Sequence, residues 1–331
     1  MIVLFSILIF LVILVNGWTD APNAIAGCVC TRSLSPSAAL ILAAGCNFIG
    51  AVGMAFLSPK VAKTLFGIVD FGDDPSAALI SLCSGLCAVI LWATVAWRFG
   101  LPTSESHALI SGITGAALAN RMSMDAINPD QWRLVILGLF VTTLPAFLLG
   151  VLFYSVLLLF LSDKKRRPAM RSFRRTQCVS AAGSALLHGA QDSQKFMGVY
   201  LLGLSFCQIR LQGADRIPTL IVLSCAFVMS LGTMLGGSRI IKKVGCDMTD
   251  LDAASGSAAD AASSAILALC SLLGIPASTT HSKACAMMGA GIRKRNGINL
   301  RIVGQLFAAW GLTFPFCGAI GFFLSYLTTV L

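Results

Sequence analysis

Two short polar segments of similar composition interrupt the apolar sequence, and both have the residue types of an anion site. Residues 102–107 read Pro-Thr-Ser-Glu-Ser-His, and residues 276–281 read Pro-Ala-Ser-Thr-Thr-His. Each follows a helix-length apolar run that ends in a glycine two residues before the proline. Proline favours the first turn of a helix, and serine or threonine favours its cap. Both segments therefore predict a helix start whose free amide groups and positive dipole end attract an anion.

The hydroxyl groups of these segments would complete such a site. A tetrahedral oxyanion needs many hydrogen-bond donors, and hydroxyls supply them without a permanently charged trap that would prevent release. The alternative is that both segments are merely helix caps, which a single motif would favour; a pair within one membrane fold favours the binding role. The predicted anion ligands are Thr103, Ser104, Ser106, Ser278, Thr279 and Thr280, together with Gln194.

Two aspartates lie in a second pair of polar segments, Asp20 in residues 16–24 and Asp192 in residues 188–198. An ionisable residue at membrane depth costs at least about 2.5–3.5 kcal/mol on insertion scales and is usually functional. With Asn23, three residues after Asp20, these oxygens predict a cation site, either for sodium or for a proton on a lone carboxylate. A buried ion pair between Asp192 and Lys195 is the structural alternative, and the two roles are compatible.

Both pairs of motifs recur in the same order at a nearly constant separation. Gly17 and Asp20 recur as Gly189 and Asp192, and Pro102 recurs as Pro276. Two motifs at almost the same offset predict an internal duplication of about 170 residues. We expect membrane repeats at 1–161 and 176–331, joined by a basic linker at 162–175. Such repeats are often inverted about an axis in the membrane plane, with their short interrupted helices facing each other at the midplane.

The composition excludes an ordinary soluble enzyme. Of 331 residues, 56% are hydrophobic and only 11% are charged, whereas a soluble domain carries about 25% charged residues. At about 20 apolar residues per crossing, the chain predicts an all-α polytopic membrane protein. We expect about ten to twelve membrane segments in two inverted repeats, with broken helices or re-entrant hairpins. The lipid bilayer is then its permanent environment, and no length remains for a large soluble catalytic domain.

The net charge of +10 is concentrated in the linker, which argues against a nucleic-acid-binding surface. The positive-inside rule predicts that this linker is cytoplasmic, in the cell (inner) membrane; the alternative is a dedicated site for anionic lipid. Seven basic residues lie there: Lys164, Lys165, Arg166, Arg167, Arg171, Arg174 and Arg175.

The twelve cysteines are scattered through apolar runs, which predicts buried free thiols rather than a disulfide scaffold. Cys28 and Cys30 are spaced too tightly for the usual zinc pair and have no nearby partners, so no metal cluster is expected. The apolar run from Ile2 to Val15 lacks a basic start and a cleavage site, and we interpret it as a retained membrane segment.

Several further residues are equivalent under the repeat. His107 and His281 are expected to be buried hydrogen-bonding groups rather than proton carriers. Glu105, the only glutamate in the chain, stands where the second half has Thr279. A carboxylate beside an anion site repels the anion unless it is protonated or paired, so Glu105 is a candidate proton-coupling residue and Lys195 a candidate modulating one. Asp260 lies in the small-residue run 253–273, typical of close helix packing.

Four segments together resemble the PiT family of inorganic phosphate transporters. These are residues 16–26 continuing to Thr31-Arg32, residues 188–195, and the paired segments 100–112 and 274–281. The resemblance implies a homodimeric secondary transporter with a cytoplasmic central loop, which moves phosphate with sodium or protons by alternating access. It implies that the hydroxyls bind phosphate and that Asp20, Asn23 and Asp192 bind the cation. No cofactor is expected besides the coupling ion.

The sequence departs from the family pattern at four positions. Thr19 and Gln191 precede the aspartates where the family often has asparagine, which leaves sodium or proton open. Glu105 replaces a small hydroxyl residue and Lys283 replaces an apolar one, which leaves phosphate or sulfate open, with phosphate leading. An anion channel and an intramembrane hydrolase remain as alternative functions to a coupled transporter. The hydrolase is disfavoured by the duplication and by the lack of nucleophile-elbow, zinc or P-loop signatures.

Overall fold

A computed structural model of the chain describes residues 1–101, 103–161, 166–207, 209, 217–294 and 297–330, with only the backbone for 161, 166–171 and 330. Pro102 of the first anion motif, and Lys164 and Lys165 of the basic linker, lie outside the described residues. The described residues form helices, and their only β-type pairings are two isolated bridges. The all-α prediction is confirmed.

Over its described residues, the first half contains seven α-helices and a 3₁₀ turn at Met124–Ala126. In chain order the helices are α1 Ile2–Thr19, α2 Pro22–Cys30, α3 Pro36–Leu57, α4 Lys60–Phe66, α5 Pro75–Arg98, α6 Glu105–Arg121 and α7 Pro129–Leu161.

The second half repeats this order with one change at its start. Its helices are α8 Arg166–Phe206, α9 Thr219–Met234, α10 Ser238–Ile240 continuing as a π-helical segment Ile241–Asp247, α11 Ala253–Leu273, α12 Thr279–Gly291 and α13 Leu300–Val330. The two isolated bridges, Val69 with Ile127 and Thr249 with Ile298, occupy matching places. Each bridge joins the segment before α5 or α11 to the segment before the last helix of its half.

The change at the start concerns the two aspartate motifs. In the first half the helix is broken at this motif: α1 ends at Thr19 and α2 begins at Pro22. Pro22 favours this break, because proline has no N–H and its ring clashes with the preceding turn, although α7 and α13 accommodate Pro145 and Pro315 in their interiors. At the repeat-equivalent position the second half has Gln194, and α8 runs through its aspartate motif as one helix of 41 residues. The predicted linker 162–175 is helical from Arg166 onward, so its later basic residues begin α8.

Among the described residues, six spans are long and apolar enough to cross a membrane, with α1 and α2 counted together as Ile2–Cys30. A seventh is reached if α9 and the segment Ser238–Asp247, bent by 63°, form one span. This number is below the ten to twelve segments expected from the sequence. The expected number came from the chain length at about 20 residues per crossing, but part of that length forms α6 and α12, of 17 and 13 residues, directly after the anion motifs. Both are shorter than the roughly 20 residues that a crossing needs.

These short helices lie inside the protein. The side chains of α12 are buried along its whole length, and most of those of α6 are buried too. The final helix of each half covers the short helix of the other half, since α13 packs against α6 and α7 packs against α12. The two halves are therefore interlocked around α6 and α12, and this arrangement positions the polar motifs at the centre.

The prediction of free thiols is wrong for two of the twelve cysteines. Cys30 at the end of α2 and Cys246 in the π-helical segment form a disulfide across 216 residues. This bond joins the two halves, which a scan for nearby cysteines could not detect. The remaining ten cysteines, Cys28 among them, are free.

Candidate functional site

The structure brings the two hydroxyl motifs together. Ser104 and Ser278 are the N-cap residues of α6 and α12, and their Oγ atoms lie 2.8 Å apart. Each also accepts a hydrogen bond from a backbone amide of its own helix, Ser104 from His107 N at 3.4 Å and Ser278 from His281 N at 3.2 Å. Both are thus helix caps, and both belong to one buried cluster in which the helix N-termini meet.

The preceding helices end where the sequence predicted. Gly274 is the C-cap of α11 with φ 78°, and Gly100 follows α5 with φ 64°. Both conformations are left-handed, which glycine adopts without strain. The chain therefore leaves one helix and starts the next within a few residues, and this places the N-termini of α6 and α12 in the interior.

The two predicted aspartates lie on either side of a threonine hydroxyl. Thr279 Oγ1 is 3.3 Å from Asp20 Oδ2 and 3.2 Å from Asp192 Oδ2. Asp20 lies in the break between α1 and α2, and Asp192 lies on α8. Both side chains are buried to 1% exposure, so the break and the long helix deliver two carboxylates to the same buried cluster.

Around Asp20 the structure collects oxygens from three segments. Thr280 Oγ1 donates to Asp20 Oδ1 and lies 3.4 Å from the carbonyl oxygen of Thr103. Asn23 Nδ2 donates to Asp20 Oδ1 at 2.8 Å and contacts Thr280 Oγ1 at 3.3 Å. Asn23 Oδ1 is buried and has no hydrogen-bond partner among the described residues. This donor set of carboxylate, hydroxyl and carbonyl oxygens fits a hard monovalent cation.

Around Asp192 the equivalent space is filled by Lys195. Its ammonium donates to Asp192 Oδ1, Ser106 Oγ and the carbonyl oxygen of Ala277, each at 2.5 Å. The Lys195 and Asp192 side chains are both 1% exposed. The ion pair that the sequence left as an alternative therefore exists, and it lies within the site rather than beside it.

Glu105 also faces this cluster. Its Oε1 accepts a hydrogen bond from Thr19 Oγ1, one residue before Asp20, while Oε2 is buried without a partner in the described part of the chain. Thr19 in turn donates to the carbonyl of Val15 at 2.7 Å. A hydroxyl has one hydrogen, so Thr19 can satisfy only one of these acceptors at a time.

Sequence reasoning missed His188 as a site residue. Asp192 Oδ2 is contacted by both His188 Nε2 and Asn16 Nδ2, each at 3.3 Å. His188 Nδ1 is 3.2 Å from Asn47 Oδ1. Asp20, His188 and Asp192 offer ligand atoms that all lie within 4.8 Å of one another. The sequence repeat could have identified His188, because His188 corresponds to Asn16 at the same offset at which Asp192 corresponds to Asp20.

Gln194 of α8 is buried and its side chain contacts α4. Its Oε1 accepts a hydrogen bond from the backbone amide of Ala62 on α4 at 3.4 Å. Its Nε2 is buried and has no hydrogen-bond partner within the described ranges. Only the amide nitrogen is therefore available for an anion.

The paired histidines belong to an aromatic cluster. The rings of His107 and His281 have centroids 4.5 Å apart, and each also contacts an aromatic ring of α13, Phe314 at 4.6 Å and Trp310 at 3.8 Å. They are buried, as expected from the sequence, but the expectation that they are hydrogen-bonded is wrong: His107 Nδ1 and both ring nitrogens of His281 have no hydrogen-bond partner among the described residues. Their packing links the starts of α6 and α12 to the helix that encloses them.

Lys283 is occupied elsewhere. Its ammonium pairs with Asp260 on α11 and donates to the carbonyl of Ala24 at 2.9 Å and to Ser184 Oγ at 3.1 Å. Asp260 also accepts from Ser180 Oγ at 3.0 Å. The unusual charge at position 283 thus has a carboxylate partner within the run that the sequence assigned to helix packing.

The site as a whole is buried and rich in negative charge. Every predicted ligand is at most 8% exposed. When ionised, Asp20, Asp192 and Glu105 contribute three negative charges against one positive charge on Lys195. At low local dielectric such an excess strongly favours binding of cations or protons.

The chain is similar to phosphate transporters of bacteria. A model of the phosphate transporter family matches residues 16–321. A probable low-affinity inorganic phosphate transporter of Bacillus subtilis (strain 168) is 34% identical over 94% of this chain and 92% of its own length. A relative of the same description from Rhizobium meliloti (strain 1021) is 35% identical over 91% of this chain and 88% of its own.

One solved structure, described as the sodium-dependent phosphate transporter, has a TM-score of 0.87 and covers 100% of this chain and 99% of that one. The two sequences are 20% identical, so this likeness concerns the fold.

Proposed function

Because the chain belongs to the phosphate transporter family, we propose that it carries inorganic phosphate across a membrane together with a coupling cation, by alternating access. The chain is an integral multi-pass membrane transporter and not an enzyme. The observation that carries the proposal is the meeting of the α6 and α12 N-termini at Ser104 and Ser278, 2.8 Å apart and buried.

The anion ligands in this proposal are the hydroxyls and amides at those two helix starts. Hydroxyl donors and free backbone amides bind a phosphate oxygen without a fixed positive charge, which permits release. Gln194 adds an amide nitrogen that has no hydrogen-bond partner in the described part of the chain. The phosphate ligands are Thr103, Ser104, Ser106, Gln194, Ser278, Thr279 and Thr280.

The charge of the site supports cation coupling. Three buried carboxylates and one ammonium leave a formal charge of −2 when all are ionised, and an anion would raise the repulsion further. Cations or protons must therefore enter with the anion. Asp20 and Asn23, with the Asp192 carboxylate nearby, are the proposed cation ligands, and Glu105 is a proposed proton acceptor. The coupling is reciprocal, so phosphate raises the affinity for the cation by the same factor.

Sodium is favoured over the proton as the coupling ion at Asp20. The neighbouring oxygens of Thr280 and Thr103 supply further ligands of the kind that hard cations take, and the structurally similar transporter is described as sodium-dependent.

Two proposals concern the assembly. Residues 1–161 and 176–331 are proposed as inverted repeats, which is supported by the contact between the equivalent residues Ser104 and Ser278 and between His107 and His281. A homodimer with a cytoplasmic segment at 162–175 is proposed from the family resemblance and the basic charge.

The test is uptake of radiolabelled phosphate by purified protein in proteoliposomes, with imposed sodium and pH gradients in turn. We expect concentrative uptake that follows the sodium gradient. Sulfate as competitor identifies a sulfate permease if it displaces phosphate at equal concentration. Uptake indifferent to both gradients would contradict coupling, and large phosphate currents without accumulation would indicate an anion channel.

A further inference from the structure

Two groups of four residues at the centre of the site have the same construction. In one group, Thr280 Oγ1 contacts the Asp20 carboxylate, the Asn23 amide nitrogen and the Thr103 carbonyl oxygen, and Asn23 Nδ2 donates to Asp20. The other joins corresponding atoms through the Lys195 ammonium. Each member of one group corresponds to a member of the other at the offset of the sequence repeat: Asn23 to Lys195, Asp20 to Asp192, Thr280 to Ser106 and Thr103 to Ala277.

Both groups contribute a carboxylate, a hydroxyl and a carbonyl oxygen, and they differ in charge at the fourth member. Where the first has the neutral Asn23, the second has the positively charged Lys195. The ammonium lies 2.5 Å from a carboxylate oxygen, a hydroxyl oxygen and a carbonyl oxygen. Oxygens hold a hard cation such as Ca²⁺ at about 2.3–2.6 Å, so the ammonium sits where a coordinated ion would sit.

We propose that the Lys195 ammonium is a tethered substitute for a coupling cation. It fills one of two repeat-related oxygen cages permanently, so a free cation binds only in the cage of Asp20. This inference rests on the proposed function for its transport consequences, but its central claim concerns ion binding.

The physical reason is charge compensation. The Asp192 carboxylate is 1% exposed, and an isolated buried carboxylate requires a partner charge. A free ion provides that charge only while it is bound and leaves with the substrate. The Lys195 ammonium cannot leave, so it compensates Asp192 in every state but adds no translocated charge. The transporter then carries one cation fewer per phosphate than a protein with asparagine at both positions.

The decisive variant is Lys195→Asn, which gives the second cage the residue of the first. Equilibrium binding of ²²Na⁺ to purified protein, with inorganic phosphate present, counts the ions. We expect Lys195→Asn to bind one sodium equivalent more than the unaltered protein. The readout is the difference in bound sodium between the variant and the unaltered protein. The expected difference is the same whether the Asp20 cage takes sodium or a proton. Lys294→Asn is the control, because Lys294 pairs with Asp252 at 3.0 Å where both side chains are partly exposed to solvent, and it should leave the number unchanged.

Folding is monitored separately by the apparent melting temperature. The melting temperature of Lys195→Asn should rise with sodium more steeply than that of the unaltered protein. If the asparagine variant does not fold, Lys195→Gln opens the same cage with a longer amide and should gain the same equivalent. The proposal is overturned if either folded variant binds the same number of sodium ions as the unaltered protein. It is also overturned if the unaltered protein itself binds two sodium ions in the presence of phosphate.

Transport provides a second readout. In proteoliposomes, Lys195→Asn should move one more positive charge per phosphate, so the limiting accumulation of ³²P-phosphate rises by up to about 50-fold per 100 mV of inside-negative potential. If the unaltered protein does not transport phosphate while Lys195→Asn still gains a sodium equivalent, the proposed function fails and the tethered cation stands. If the unaltered protein transports phosphate but Lys195→Asn gains no sodium equivalent, the proposed function stands and the tethered cation fails.

Discussion

The hydroxyl groups of Ser104 and Ser278 lie 2.8 Å apart although 174 residues separate them in the chain. Each serine also caps its own helix, so one contact joins the N-termini of α6 and α12. Two positive dipole ends that face each other repel, and this repulsion is relieved when an anion lies between them. The contact therefore has a natural place in an anion carrier and little value as packing alone.

Replacing these serines should affect stability and phosphate affinity differently. Loss of a serine cap costs about 1 kcal/mol, and loss of a hydrogen bond to a charged group costs about 1.5–3 kcal/mol. We expect Ser104→Ala and Ser278→Ala each to raise the KM for phosphate roughly 10- to 100-fold. The double variant should show less than the sum of the two effects, since the two hydroxyls contact each other.

The matched control for the serine variants is Ser35→Ala. Ser35 caps α3 with the same chemistry, accepting from Ala38 N at 3.4 Å, but it is exposed. It should lower the melting temperature without changing the KM. An equal KM change in Ser35→Ala would mean that helix capping, and not anion binding, explains the result.

The two aspartates should not respond alike to neutralisation. Asp192→Asn leaves the Lys195 ammonium buried and uncompensated, which costs about 3–5 kcal/mol. Asp20 has no lysine partner in the described structure, so Asp20→Asn should be far less destabilising and should still abolish gradient-driven uptake. Thermal unfolding and phosphate uptake separate the two effects. Asp130→Asn is the control, since Asp130 is 76% exposed. Retained coupling in a folded Asp20→Asn variant would contradict the cation role.

Much of the site was predictable because the duplication is visible in the sequence. The repeat offset alone identified both aspartates, both hydroxyl motifs and the starts of α6 and α12. It would also have identified His188 through Asn16, and the Lys195 cage through Asn23, had each neighbour been compared position by position.

Other features depend on packing that no local pattern encodes. The exchange of α7 and α13 between the halves, the disulfide between Cys30 and Cys246, and the pairing of Lys283 with Asp260 all join distant segments. Pro22 favours the break at Asp20 but does not predict it alone, because Pro145 and Pro315 lie inside continuous helices. The continuity of α8 was not predictable, because its polar residues resemble an interruption. A polar residue can lie inside a continuous helix when its partners come from neighbouring helices.

The Lys283 and Asp260 pair should be structural. Removing one partner of a buried pair costs about 3–5 kcal/mol because the other charge is left uncompensated. We expect Lys283→Met to lower the melting temperature strongly. The double variant Lys283→Met/Asp260→Asn should recover most of the loss, because both charges are gone and the introduced amide keeps a polar group near Ser180. A double variant less stable than Lys283→Met would mean that the Asp260 charge has another buried partner.

Two glycines of α8 should tolerate alanine very differently. A Cβ on Gly189 would lie 2.2 Å from the carbonyl oxygen of Asn47 on α3, whereas a Cβ on Gly183 would meet nothing within 4 Å. Gly189→Ala must push α8 away from α3, at a cost of about 1–3 kcal/mol, and it disturbs the contact between His188 and Asn47. Gly183→Ala should be neutral or stabilising by up to about 1 kcal/mol. Melting temperatures of the two variants test this, and equal effects would contradict the close approach of α3 and α8.

Glu105 should determine how uptake depends on pH. Its carboxylate lies beside the hydroxyl of Thr19, and in its charged form it opposes the entry of an anion into a buried site. Glu105→Gln keeps a group that accepts the Thr19 hydrogen bond and fixes the side chain in a neutral state. We expect uptake by the unaltered protein to decline as pH rises, and we expect the variant to retain sodium-driven phosphate uptake without this decline. Initial rates of ³²P-phosphate uptake across pH, at constant sodium gradient and constant dihydrogen phosphate concentration, measure this.

An unchanged pH profile in Glu105→Gln would assign proton coupling to another residue. Glu105→Asp keeps the carboxyl group, and it should show the pH profile of the unaltered protein if the assignment to Glu105 is correct.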